Sequence, residues 1–244
     1  RQDGKFVLAG ADISTGEAFY ASYTGETAAQ QIMDELYRRM TAELLFTEGF
    51  SLADTVRSFL VQRLPRCAVS TVTAEADGVL LTQHFSAAEF PSDAGAQAAV
   101  ATLLRYLHDT VRTDLSQINR LSFLDTRETM QLDTYTLRNL EITRSLRDGG
   151  KKNTLFDVLD FTRTPMGTRL LRAWLEHPLL TPHRIDARLD AVAELVENAG
   201  LRGTLREQLR SVYDFERLLT RIETQTANAR DLVALRVSLA ALPA

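Results

Sequence analysis

The chain has 244 residues, 45% of them hydrophobic and 25% charged, with a formal net charge of −4 at neutral pH. That balance excludes a low-complexity disordered chain and leaves room for one large domain or two ordinary ones. No apolar run approaches the ~20 residues of a membrane-spanning helix, and Cys67 has no second cysteine with which to form a disulfide.

Charge is unevenly placed. Residues 1–115 hold nine Lys and Arg against fifteen Asp and Glu, which makes that half a poor ligand for nucleic acid. Residues 116–244 hold nineteen against seventeen, with a basic cluster at Arg138, Arg144, Arg147, Lys151 and Lys152. Such a cluster is ordinarily a solvated face, and a DNA-facing role is the second reading of it. The chain opens on Arg1 rather than Met, with no signal-peptide pattern, so the expectation is a piece of a longer cytoplasmic protein with no membrane partner.

Strand and helix signals alternate through the first half. Phe6-Val7-Leu8-Ala9 and Phe19-Tyr20-Ala21-Ser22-Tyr23 flank a turn at Ser14-Thr15-Gly16-Glu17, which predicts a hairpin. Thr27 and Gln30 have capping-box spacing before a helix whose apolar face is Ile32, Met33, Leu36, Tyr37 and Met40. Leu44-Leu45-Phe46 reads as a short buried strand. Ser51 with Asp54 opens a helix carrying Leu52, Val56, Phe59 and Leu60, and Ala68–Val72 reads as another strand. Asp93 or Ser92 caps a long helix with Val100, Leu103, Leu104, Leu107 and Val111 facing inward. Alternation of this kind implies an α/β layer fold over 1–115.

A stretch at 116–130 interrupts both patterns and reads as a linker. From 131 to 244 the chain reads as all-α. Helix starts are predicted at Thr154, Thr164 and Thr181 (with Pro182 behind it), and near Leu201, Val212 and Arg230. Thr164 is a good N-cap and Pro165 suits the first helical position. Met166, Leu170, Leu171, Trp174 and Leu175 then form one apolar stripe, which places Trp174 in a core, and Pro178 stops the helix. Further stripes run through Ile185, Leu189, Val192 and Val196, and through Leu232, Leu235, Leu239 and Leu242. Past Gly167 the only glycines are Gly200 and Gly203, read as an inter-helix loop.

The segment Leu132–Leu180, with Thr164-Pro165-Met166-Gly167, Arg169-Leu170-Leu171 and Trp174-Leu175 at its centre, resembles the start of the core (lever) domain of the MutS family of DNA mismatch-repair proteins. Val212-Tyr213-Asp214-Phe215-Glu216-Arg217-Leu218-Leu219 and Arg230-Asp231-Leu232 are similar to the helices that follow in that family. Ala11-Asp12-Ile13-Ser14-Thr15-Gly16-Glu17 is similar to the opening of its connector domain, whose fold is RNase-H-like. Ala229 departs from the pattern, since relatives often carry Pro before Arg-Asp-Leu; this touches a helix start.

The resemblance implies a connector followed by the first part of the core. Such a piece couples mismatch binding to the ATPase and offers a docking surface to a MutL-type partner. Mismatched double-stranded DNA, homodimerisation, ATP and Mg belong to the full-length family. Its mismatch-reading domain and ATPase are not expected here. A phosphate loop needs G-x-x-x-x-G-K-[ST], and both Gly4-Lys5-Phe6 and Gly150-Lys151-Lys152 fail it. The helices at 181–199 and 230–242 are expected to show apolar faces that another stretch of the family's core covers, and hence to self-associate.

An RNase-H-like fold also raises a metal-dependent nuclease or resolvase centred on Asp12, with Glu43, Glu48 and Asp109 as candidate partners. Two-ion hydrolysis needs converging carboxylates. The competing role for Asp12 is to cap its turn through Ser14 and Gly16. His84, His108, His177 and His183 read as scattered, Cys67 as a small buried hydrophobe. No catalytic, cofactor-binding or metal-binding residue is therefore expected in this chain.

Overall fold

A computed structural model describes residues 4–75, 78–111, 115–125 and 127–242. The chain divides into two compact units, 1–125 and 126–244.

Unit 1 is built on a hairpin. β1 (Lys5–Asp12) pairs antiparallel with β2 (Glu17–Thr24), Ala9 opposite Tyr20 and Leu8 opposite Ala21. β5 (Arg120–Phe123) adds parallel to β2, Ala18 opposite Leu121. A second pair, β3 (Glu43–Thr47) and β4 (Ala68–Val72), is parallel and joined through α2 (Ala53–Arg63). The remaining elements are α1 (Ala28–Arg38), α3 (Gly78–His84), a 3-10 turn at Ala87–Glu89 and α4 (Ala94–Thr110).

Strand period explains the layering. Ala18 and Tyr20 of β2, with Ala9 and Ala11 of β1, meet the cluster of Leu80, Leu81, Val100, Leu104 and Ile118. Ala21 and Tyr23, with Phe6 and Leu8, meet Ile32, Leu36, Phe46, Val56 and Leu60. Alternate residues point to opposite faces, so the hairpin is apolar on both sides and sandwiched between helices. That is why β1 reads as a nearly unbroken apolar run. The α/β layering expected of this half is present, divided between a three-stranded and a two-stranded sheet.

The hairpin turn needs glycine at one place. Gly16 has φ +74°, and a Cβ there would lie 2.3 Å from the Gln117 carbonyl oxygen.

Local details differ from the sequence reading. Thr27 precedes α1 without a side-chain bond: its backbone is already helical, φ −86° and ψ −4°, rather than extended as a capping residue requires, and the Gln30 amide donates forward to Asp34 Oδ1 at 3.0 Å. α2 starts after Leu52, which cannot cap, rather than at Ser51. The stretch read as a linker contains β5, whose Leu121 is buried. Asp93 caps α4 as expected, accepting from the Ala96 amide at 2.8 Å.

Unit 2 is helical: α5 (Thr134–Asn139), α6 (Leu155–Leu159), α7 (Pro165–Glu176), α8 (Pro182–Glu197), α9 (Ala199–Leu209), α10 (Phe215–Glu223) and α11 (Ala229–Ala240). Polar N-caps define most starts. Asp133, Thr154, Thr164, Asn198, Asp214 and Asn228 each accept a backbone N–H of the first turn. Asn228 and Asp231 complete a reciprocal capping box, so Ala229 costs the helix no definition.

Two expectations fail in this unit. Gly200 and Gly203 lie inside α9, which begins at Ala199 because Asn198 caps it. Trp174 is not a core residue: it is 39% exposed, and the Arg188 guanidinium lies over its ring at 3.7 Å. α7 buries its stripe only in part, with Leu170 exposed beside Trp174.

Candidate functional site: a braced helical frame

The strongest chemistry in unit 2 holds helices to one another. Arg169, one turn into α7, donates from Nη1 and Nη2 to the two carboxylate oxygens of Asp214, both at 2.8 Å, and also pairs with Glu216. The planar fork of arginine suits this two-point contact. Asp214 is at once the N-cap of α10. The Arg169 bonds hold its carboxyl below the ordinary range against the opposing effect of burial, and Asp214 in turn raises the Arg169 guanidinium.

Similar double use recurs. Asp231 closes the α11 capping box and accepts from Arg221 of α10 at 2.9 Å. Ser238, fully buried, accepts the Tyr213 amide at 2.9 Å and donates to the Ala234 carbonyl at 2.8 Å. Glu176, buried at the end of α7, accepts from Thr143 at 3.1 Å and Arg172 at 2.9 Å. Asp160 accepts from Lys151 and Thr162, each at 2.5 Å; burial pushes its carboxyl up, but these bonds leave it below the ordinary range. Asp214 and Asp231 thus each cap one helix while gripping another.

The basic cluster runs from Arg138, in the last turn of α5, along the segment that leads to α6. Arg138, Arg147, Lys151 and Lys152 are exposed and Arg144 half-buried. Lys151 is committed to Asp160 and covers the Phe156 ring at 4.6 Å. The segment is anchored by Leu137, Ile142 and Phe156, all buried.

Apolar faces remain open. Leu189, Val192 and Val196 on α8, and Leu232 and Leu239 on α11, are each more than half exposed.

The Asp12 carboxylate serves its own turn. Oδ1 accepts from the Ser14 amide at 2.8 Å and the Ser14 hydroxyl at 2.7 Å, while the Gly16 amide bonds the Asp12 carbonyl at 2.8 Å. Glu43 accepts from Tyr106 and Glu48 from Thr73. Among the described residues no three His, Cys, Asp or Glu side chains form a metal-sized group. Cys67 is half-buried rather than buried, and burial pushes its thiol up, away from the reactive thiolate.

Phe46 is 4% exposed and stacked on Phe50 at 5.6 Å, so its ring is core. His84 and His108, which looked scattered, meet at 2.9 Å. Nothing local signals that pairing, since it joins residues 24 positions apart on two helices.

Comparison with known proteins agrees with this frame. Residues 135–244 match the family model described as MutS domain III. Proteins named DNA mismatch repair protein MutS align along nearly all of the chain. That of Pelotomaculum thermopropionicum is 41% identical over 248 residues, 98% of this chain and 28% of the relative. Those of Symbiobacterium thermophilum and Methanosarcina mazei are each 40% identical over 98% of this chain, covering 28% and 27% of their own lengths. The chain therefore spans a little over a quarter of the relatives it matches. Along nearly all of its length the chain is similar to one stretch of the MutS family of DNA mismatch-repair proteins.

Proposed function

We propose that the chain works mechanically within a MutS-type mismatch-repair protein, as the connector and the first part of the helical core. Unit 1 takes the connector role, with an RNase-H-like fold; the helix-covered hairpin and the parallel strands joined by helices support that reading. It offers a docking surface to a MutL-type partner. Unit 2 is a lever that carries the effect of mismatched double-stranded DNA to an ATPase outside this chain. ATP and Mg, the homodimer and DNA binding itself belong to the parent protein, which works in the cytoplasm. The chain alone performs no catalysis.

One observation carries the proposal: Arg169 grips Asp214 and Glu216 across 45 and 47 residues, and Asp214 also starts α10. A strain on α7 is thereby passed to a helix terminus rather than absorbed in a flexible joint. Coupling requires packed elements of this kind that move as bodies.

The test is complementation of a mutator strain by the parent protein carrying Arg169→Gln. The proposal expects a raised mutation frequency with normal protein abundance. Full complementation would refute it.

A further inference from the structure

Two backbone bonds close residues 143–154 into a loop between α5 and α6. The Leu155 amide donates to the Glu141 carbonyl at 3.1 Å and the Phe156 amide to the Ile142 carbonyl at 2.9 Å, so the two ends lie side by side. Inside the loop the Ser145 amide reaches the Gly150 carbonyl and the Gly149 amide the Ser145 carbonyl, both at 2.9 Å. Compact loops of this kind hold their shape without helix or strand and commonly carry function.

The charges of the loop are sorted. Every carboxylate between residues 141 and 160 is spent locally. Glu141 accepts the Leu146 amide at 2.6 Å, Asp148 the Gly150 amide at 2.8 Å, Asp157 the Asn153 amide at 3.1 Å, and Asp160 the Lys151 ammonium. The cations left over, Arg138, Arg144, Arg147 and Lys152, pair with no carboxylate among the described residues. At the tip Gly149, with φ +69°, has nothing within 4 Å of where a Cβ would stand, so another backbone can approach it closely.

We propose that this loop is a contact for the phosphate backbone of duplex DNA, made without regard to base sequence. It rests on the reading of the parent as a DNA-bound protein and gives unit 2 a direct part in that binding. Half of a loop over 143–154 spans at most about 20 Å even when fully extended. Its cations therefore fall along about six base pairs, at roughly 3.4 Å for each pair. The arginine fork matches two oxygens of one phosphate. No internal ion pair has to break before these arginines and Lys152 meet a strand, because the carboxylates already belong to backbone amides and to Lys151.

The chain is titrated against a labelled, fully paired duplex of about 30 base pairs by fluorescence anisotropy, over a series of KCl concentrations. One variant combines Arg144→Gln, Arg147→Gln and Lys152→Gln. A control combines Arg66→Gln, Arg230→Gln and Arg236→Gln, which removes the same charge from exposed positions elsewhere. Lys152→Gln alone breaks no side-chain bond and keeps the test decisive should the triple variant melt early. The proposal expects a dissociation constant of about 1–100 µM at low salt, and the slope of log affinity on log salt flatter by about 0.9 for each loop cation removed. Affinity falls at least tenfold in the triple loop variant and holds in the control, and a mismatched duplex binds as well as the paired one. No binding at the lowest salt, unchanged affinity and slope in the loop variants, or an equal loss in the control would overturn the proposal. So would poly-glutamate displacing the labelled duplex as readily as unlabelled duplex does, which would assign the loop to an acidic protein instead. None of these outcomes touches the Arg169–Asp214 brace, which the mutator assay tests separately.

Discussion

Arg169 and Asp214 meet through two parallel hydrogen bonds, each 2.8 Å long, between residues 45 positions apart. The pair is neither buried nor fully exposed, with side chains 33% and 16% accessible. Its worth lies between a solvated ion pair and a dry one, about 1–2 kcal/mol. Arg169→Gln and Asp214→Asn should each lower the stability of unit 2 by that amount, and the double variant should cost less than the two together. Urea unfolding followed by the fluorescence of Trp174, the only tryptophan, reads unit 2 directly. Strictly additive losses would show that the contact contributes nothing.

The same pair sets a pH dependence. Arg169 holds the folded Asp214 carboxyl below its ordinary value, so this contribution is present above the unfolded carboxylate pKa of about 3.9. It is lost as pH falls through the folded value. Acid unfolding should therefore narrow the stability gap between the wild-type chain and Asp214→Asn. A gap that widens on acidification would contradict the assignment.

Ser238→Ala should strand the Tyr213 amide, because the hydroxyl of the buried Ser238 is its partner at 2.9 Å. A buried donor left unbonded costs about 1–3 kcal/mol. Ser211→Ala, at an exposed hydroxyl bonded only to the Gln208 carbonyl, should cost less than half as much. Equal effects of the two changes would remove Ser238 from the frame.

Gly16→Ala should destabilise unit 1 by more than Gly25→Ala, although both have positive φ. The first adds a Cβ 2.3 Å from a backbone oxygen, while the second meets nothing within 4 Å. Backbone conformation alone costs about 1 kcal/mol, and the clash comes on top. Circular dichroism melts of the two variants decide it; equal melting temperatures would mean that the Gln117 backbone yields freely.

The open faces of α8 and α11 should make the isolated chain associate with rising concentration. Val192→Asp should shift sedimentation toward monomer. A wild-type chain that stays monomeric at high concentration would contradict this.

What could be read in advance follows from how local each feature is. Asp93, Thr154 and Thr164 cap helices through bonds that reach three residues, and those were legible. Asp12 bonds within its own turn, as its neighbours Ser14 and Gly16 implied. Thr27 has the spacing of a capping box, but its backbone is helical, which the sequence does not show. β5 was invisible because four residues, Arg120-Leu121-Ser122-Phe123, carry no pattern apart from the β2 edge they join. Arg169 stood inside a family motif, yet its partners are 45 and 47 residues away. His84 and His108 depend wholly on how α3 packs against α4.

In the proposed role unit 2 acts as a rigid lever. The most direct measurement is ATP turnover by the full-length parent protein with and without mismatched DNA, comparing wild type with Arg169→Gln, Asp214→Asn and the double variant. The account predicts unchanged turnover without DNA, and mismatch stimulation cut several-fold and equally in all three variants. Stimulation at the wild-type level in the double variant would show that the Arg169–Asp214 brace carries no signal.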